Sequence, residues 1–232
     1  MTGKSSIFNY RLLLLLISII TLINSIYINN PYIFILYISS VIAATMTTNY
    51  GIKFIKKYNF LQTIRTEGPS SHLIKKNTPT MGGLFIIPIF FLILLCAKVI
   101  SFKFKLVLLI TISGFFSIGF LDDYLSIKKQ INLGLKSKEK LILQIFFSTF
   151  FVIFLFNNSL MNNNLNFLSD LTINLKNFII PISIITIISL SNSVNLTDGL
   201  DGLAAGCSSI VFCGLGTEIL LNDNKTYLIF SL

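Results

Sequence analysis

LVLLITISGFFSIGFLDDY, from Leu106 to Tyr124, decides the fold. The run from Leu106 to Leu121 carries no charge, and then two aspartates arrive together. With its flanks the run approaches the ~20 residues that cross a bilayer as a helix. It lacks the alternation of a barrel strand, and a helix satisfies its own backbone groups, as lipid demands. Six further segments read the same way: roughly 12–28, 32–52, 84–97, 141–156, 178–191 and 203–221. The expectation is an all-α, polytopic transmembrane protein of six to seven apolar segments. Residues 1–232 are expected to form a single transmembrane domain.

Composition agrees. Of 232 residues, 53% are hydrophobic and 12% are charged, whereas a soluble domain is about a quarter charged. A soluble fold of this size would leave aggregating apolar patches, and a disordered chain would be far more polar. The net charge of +9 suits basic residues that flank spans and face anionic lipid. No basic patch is interleaved with stacking aromatics, which argues against a nucleic-acid partner. Cys96, Cys207 and Cys213 have no metal or redox spacing. The single histidine, His72, cannot form a His-based zinc site. Lys4 and Arg11 precede the apolar run Leu12 to Ile23, but Asn29-Asn30-Pro31 and more apolar sequence follow. That is not the pattern of a cleaved signal peptide.

Charge orients the spans. The stretch 53–78 carries Lys53, Lys56, Lys57, Arg65, Lys75 and Lys76 against Glu67, and 122–140 carries Lys128, Lys129, Lys136, Lys138 and Lys140. The positive-inside rule places both in the cytoplasm. Lys98, Lys103 and Lys105 would lie outside and are outnumbered. The third inner stretch, 192–202, has no Lys or Arg, and alternation alone places it inside. The Asn-rich stretch 157–177 reads as a solvated outer connector. The first segment is either a span forming a tight hairpin at Asn29–Pro31 or a shallow segment on the outer face.

Four of the nine acidic residues fall in two short stretches. One is Gly119-Phe120-Leu121-Asp122-Asp123-Tyr124. The other runs from Asn192 to Leu203 as NSVNLTDGLDGL. Adjacent carboxylates at a membrane edge repel one another and resist desolvation. Mg²⁺ is a physical reason to place them there, since it shares one or two carboxylates with substrate phosphates. The bland alternative is a helix that ends in water at Asp122-Asp123, although acids at a helix C-terminus oppose its dipole. Asn192, Asn195, Asp198 and Asp201 recur every third residue, so on a helix at about 100° per residue neighbours in the series share a face. Gly199, Gly202 and Gly206 permit a break or a close backbone approach, and the alternative is a pair of D-G-L turns capping the next helix. Lys75 and Lys76, before the turn Thr78-Pro79-Thr80-Met81-Gly82-Gly83, suit a diphosphate or serve as plain anchors. Acids, amides and lysines on one face suggest phosphoryl transfer between a water-soluble donor and a lipid acceptor.

Three pieces, T-P-T-M-G-G at 78–83, G-F-L-D-D-Y at 119–124 and N-S-V-N-L-T-D-G-L-D-G-L at 192–203, occur in order. Through them the sequence resembles the phospho-N-acetylmuramoyl-pentapeptide transferases, within the polyprenyl-phosphate N-acetylhexosamine-1-phosphate transferase superfamily. The resemblance implies transfer of phospho-MurNAc-pentapeptide from UDP to undecaprenyl phosphate, giving lipid I and UMP. It implies Mg²⁺, a multi-pass position in the bacterial cytoplasmic membrane with the site on the cytoplasmic face, and admits a homodimer. It assigns Asp122 and Asp123 to the aspartate pair, catalytic and on the metal side. It assigns Asp198 to catalysis, and Lys75, Lys140, Asn192, Asn195 and Asp201 to substrate binding. It also implies further spans, another aspartate and a His-rich loop that these residues lack, so the 232 residues alone are expected to be a shortened, inactive form. Two rivals stand beside it. One is a sister enzyme using another UDP-N-acetylhexosamine, separated by the donor it accepts. The other is a non-catalytic membrane protein whose acids form an ion path, for which acids facing one another in mid-span would speak.

Overall fold

The computed structural model describes residues 3–27, 29–58, 60, 79–96, 101–129, 134–167, 171–198 and 202–221. Each of the seven apolar segments is a helix: α1 (Gly3–Tyr27), α2 (Pro31–Lys57), α3 (Gly83–Cys96), α4 (Phe102–Lys129), α5 (Ser137–Asn157), α6 (Ile179–Thr197) and α7 (Leu203–Leu221). Four stretches, Pro31–Lys57, Phe102–Lys129, Ser137–Asn157 and Lys176–Thr197, are long and apolar enough to cross a membrane. Leu12–Tyr27, Gly83–Cys96 and Leu203–Thr217 are shorter apolar helices. The protein is an all-α, polytopic membrane protein, as its continuous apolar runs predict.

Local chemistry sets the helix ends. Asn29 takes a left-handed turn (φ 54°) between α1 and α2, a conformation asparagine tolerates better than most residues. Pro31 then occupies the first position of α2, where its missing N–H costs nothing. The Asn30 side chain accepts the Tyr32 N–H at 3.2 Å. At the start of α5, Glu139 accepts the Lys136 N–H at 3.0 Å, one half of a capping box. Its other end closes on Ser159 (φ 55°), whose N–H reaches the Phe156 carbonyl while that of Leu160 reaches Leu155. Such back-bonding supplies the orphan carbonyls of a helix end.

Two features differ from the sequence reading. Helix α4 does not end at the aspartates but runs on to Lys129, with Lys128 and Lys129 in its last turn, where cations complement the dipole. The Asn-rich connector is not simply solvated loop. Asn164–Phe167 (β1) pairs antiparallel with Leu171–Asn174 (β2), Leu165 opposite Ile173. A 3-10 turn at Lys176–Phe178 then leads into α6. The alternation Leu165, Phe167 and Leu171, Ile173 is the period-two signal of a ribbon.

Contacts divide the chain into two compact units. One comprises Met46–Phe91 with Ser101–Ser191 and the other Met1–Thr45, Leu92–Ile100 and Asn192–Leu232. In the first, α4 packs on α5. Helix α4 buries Val107, Thr111, Gly114 and Ile118, and α5 buries Gln144, Ser148 and Val152. The spacing is three to four residues, one face of each helix. A Cβ at Gly114 would run into the Phe147 ring, so this glycine sets how closely the helices approach. In the second unit α1 packs on α7, and Tyr32 of α2 donates its hydroxyl to the Cys96 carbonyl at 2.9 Å.

Candidate active site

The chemistry-bearing cluster of the first unit lies on the last turns of α4, half-buried at Asp122 and Asp123. Consecutive helical residues point about 100° apart. The two carboxylates therefore reach different neighbours, and each neighbour is a loop.

Asp123 meets the turn that leads into α3. Its Oδ2 accepts the Thr80 hydroxyl at 3.0 Å and the Met81 N–H at 3.1 Å. Met81 is buried and left-handed, with φ 64°. A side chain in that region is strained by roughly 1–3 kcal/mol, and the strain aims the N–H at the carboxylate. Thr80 is itself fixed from behind, its N–H reaching the Phe60 carbonyl at 3.3 Å. Both bonds fall on one oxygen, so Oδ1 of Asp123 meets no donor among the described residues.

Asp122 meets the chain that joins α4 to α5. Its Oδ1 accepts the Leu135 N–H at 2.9 Å. Lys140, in the first turn of α5, brings its ammonium to 3.6 Å from Oδ2. Gly134 lies so close that an added Cβ would overlap the Asp122 backbone carbonyl. The Gly134 carbonyl in turn accepts Lys129 at 3.1 Å. Glycine is therefore required here for close backbone approach.

The sequence-predicted residues are distributed as follows. Asp122, Asp123 and Lys140 come together in this cluster. Asn192 and Asn195 lie on the last two turns of α6, Asn192 half-buried and Asn195 exposed. Asp198 is exposed in the turn that ends the helix, its N–H still bonded to the Val194 carbonyl at 3.2 Å. The stretch is helical through Thr197, so Asn192 and Asn195 share the helix and Asp198 follows it directly. Gly202, left-handed at φ 78°, begins the entry to α7, and its carbonyl accepts the Gly206 N–H. Lys75 and Asp201 lie outside the described residues, as does the stretch from Arg65 to Thr78.

Thr80, Met81, Gly134 and Leu135 were not picked out as site residues in the sequence. For Thr80 and Met81 a signal existed, because they belong to the T-P-T-M-G-G motif. For Gly134 it was only a lone glycine between lysines.

Among the described residues no three His, Cys, Asp or Glu side chains gather as a metal cage. The cluster offers oxygen donors of the kind Mg²⁺ takes: the open Asp123 Oδ1, and Asp122 Oδ2 in competition with Lys140. Mg²⁺ is held by one or two carboxylates together with substrate phosphates more often than by an all-protein cage. The donor set fits that mode and no fuller one.

The family model described as glycosyl transferase family 4 matches residues 105–232. The phospho-N-acetylmuramoyl-pentapeptide-transferase signature 1 matches residues 75–87. A phospho-N-acetylmuramoyl-pentapeptide-transferase of Prochlorococcus marinus (strain MIT 9215) is 48% identical over 234 residues, covering 100% of this chain and 65% of the relative. Another from strain NATL2A is 38% identical, over 94% of this chain and 60% of the relative. One from Clostridioides difficile (strain 630) is 42% identical, over 69% of this chain and 50% of the relative. The chain thus spans about two thirds or less of each of these relatives.

Proposed function

The chain belongs to glycosyl transferase family 4 and carries the muramoyl-pentapeptide transferase signature, and from that premise we propose that it serves transfer of phospho-MurNAc-pentapeptide from UDP to undecaprenyl phosphate. The products are lipid I and UMP. The observation that carries the reading is the grip of the signature segment on the aspartate pair: Thr80 and Met81, inside residues 75–87, both bond one oxygen of Asp123.

In the proposed reaction a phosphate oxygen of the lipid attacks the sugar-bearing phosphorus of the donor. The new P–O bond forms as the bond to the bridging oxygen breaks, and UMP leaves with that oxygen. The protein's task is to position two anions and screen their charge. Lys140 supplies a cation beside the pair, and Lys75 a second by its place in the signature. Asp123, held at Oδ2, keeps Oδ1 free to face the lipid phosphate or, with Asp122, to hold a divalent cation. Asp122 anchors Lys140 and the α4–α5 connection. Mg²⁺ bound by the pair would supply charge neutralisation of the donor diphosphate. Asn192, Asn195, Asp198 and Asp201 are assigned to the nucleotide side, with Asp198 the candidate for catalytic contact. The basic stretches support a site on the cytoplasmic face of the bacterial inner membrane.

The test uses the chain joined to the C-terminal remainder of the MIT 9215 relative. UMP release from UDP-MurNAc-pentapeptide should require undecaprenyl phosphate and Mg²⁺, and be lost in Asp123→Asn. Preference for UDP-GlcNAc would move the protein to the sister activity. Release that persists in Asp123→Asn overturns the assignment of the pair.

A further inference from the structure

The unit containing α1, α2 and α7 has polar chemistry of its own that phosphoryl transfer does not use. Helix α1 turns a polar stripe inward: Ser18, Thr21, Asn24 and Ser25, of which the last three are buried. The hydroxyls serve their own helix. Ser18 donates to the Leu14 carbonyl, Thr21 to Ser18 and Ser25 to Leu22. Ser18 also lies 3.4 Å from the Tyr37 hydroxyl of α2.

Asn24 is different. It is only 8% exposed, and its side chain makes no hydrogen bond to any described residue. It lines a cavity of about 230 Å³, together with Thr21, Tyr37 and, from α7, Ser209, Phe212 and Cys213. The Ser209 hydroxyl is spent on the Ala205 carbonyl. No charged side chain contributes to the lining. A primary amide offers two donors and one acceptor at a single point, and no side-chain polar atom among the described residues is both fully buried and without a partner, so the unbonded Asn24 amide faces the cavity itself. The space corresponds to several waters at ~30 Å³ each, enough for a compact organic molecule.

We propose that this cavity is a binding site for a small neutral amphiphile: an apolar body the size of one ring, with a single hydroxyl that exchanges hydrogen bonds with the Asn24 amide. Charge is excluded because nothing in the lining compensates it. A molecule of equal size without the hydroxyl is disfavoured because it displaces water from the amide without replacing the hydrogen bonds.

Cys213 lines the cavity and serves as a reporter. Cys96 and Cys207, both exposed, are changed to Ala, and the chain in lipid nanodiscs is treated with N-ethylmaleimide while labelling of Cys213 is followed by intact mass. Benzyl alcohol, the probe, is expected to slow labelling at least fivefold, and toluene at the same concentration to slow it less than twofold. Asn24→Ala, which keeps the cavity open, should label at the original rate without the probe and lose the protection. Asn24→Leu, which keeps the shape of the side chain but removes the amide, should likewise lose the protection. Equal protection by toluene, or protection that survives Asn24→Ala, overturns the proposal. So does labelling that benzyl alcohol leaves unchanged, which would mean a cavity holding water only. Failure of Cys213 to label in the Cys96→Ala, Cys207→Ala chain overturns it as well.

Discussion

Asp122 and Asp123 lie within a helix, half-buried, and each has one oxygen taken by the backbone N–H of a separate loop. Asp198 lies at the end of a helix, exposed, one turn after an exposed Asn195. Both stretches are short, polar and placed where an apolar helix gives out, so composition alone treats them alike. The difference is in how direction is set. The pair is aimed before any substrate arrives, because moving either carboxylate breaks a bond to the main chain. The Asn195–Asp198 face is exposed, and its side chains have no such main-chain bond among the described residues. Preorganised groups contribute most to a rate, since no reorganisation is left for the transition state. Groups not held in advance contribute less.

The sharpest way to break this contrast is to remove the charge of the aimed pair. Asp123→Asn in the extended enzyme is expected to lower kcat by about a thousandfold with the donor KM little changed. A loss confined to KM would place Asp123 on the binding side. Next comes Gly134→Ala. The added methyl displaces the 134–135 backbone from Asp122, and a fall of about a hundredfold in kcat is expected, on the scale of misplacing a reacting group by 1 Å. UMP release at the original rate would show that the loop grip on Asp122 is dispensable.

Thr80→Val removes one of the two bonds to Asp123 and should cost about tenfold, the worth of one hydrogen bond to a charged group. Thr80→Ser should restore most of it, and failure of serine to do so would assign the effect to packing. Asp198→Asn probes the exposed face: as a candidate catalytic contact that is not held in advance, it is expected to lower kcat by about fivefold, the scale of an exposed charged contact. A collapse of kcat there would erase the distinction between the two stretches. The smallest effect concerns scaffold alone. Gly114→Ala forces the Phe147 ring aside and should lower stability by about 1 kcal/mol, toward the low end of overpacking costs, read as a fall in Tm without a change in KM.

The number and place of the helices were legible because hydropathy reports burial in lipid, and every apolar run became a helix. Their ends were less so. Hydropathy falls after Leu121, yet α4 continues to Lys129, because a helix needs only backbone bonds and tolerable side chains, and lysine and leucine propagate it well. The β1–β2 ribbon was hidden by the asparagines around it, although Leu165, Phe167, Leu171 and Ile173 alternate. At the site, Asp122 and Asp123 were legible as charges that need a reason, and Lys140 only through the family resemblance. Their supports were not, since a backbone N–H has no letter of its own in a sequence. Leu135 and Met81 act through atoms that every residue but proline possesses.

Met81 carries one more consequence. Two glycines follow it directly, either of which would adopt a left-handed backbone without strain, yet the left-handed position falls on the buried methionine. The apolar side chain is the anchor: seating it among neighbouring groups holds the peptide plane in its unfavourable setting. Hydrophobic burial, which has no direction, is thereby converted into the direction of a single N–H. Substitution at position 81 is then ruled by shape, with unbranched apolar side chains tolerated, β-branched ones rejected by the backbone, and glycine free of strain but without its anchor.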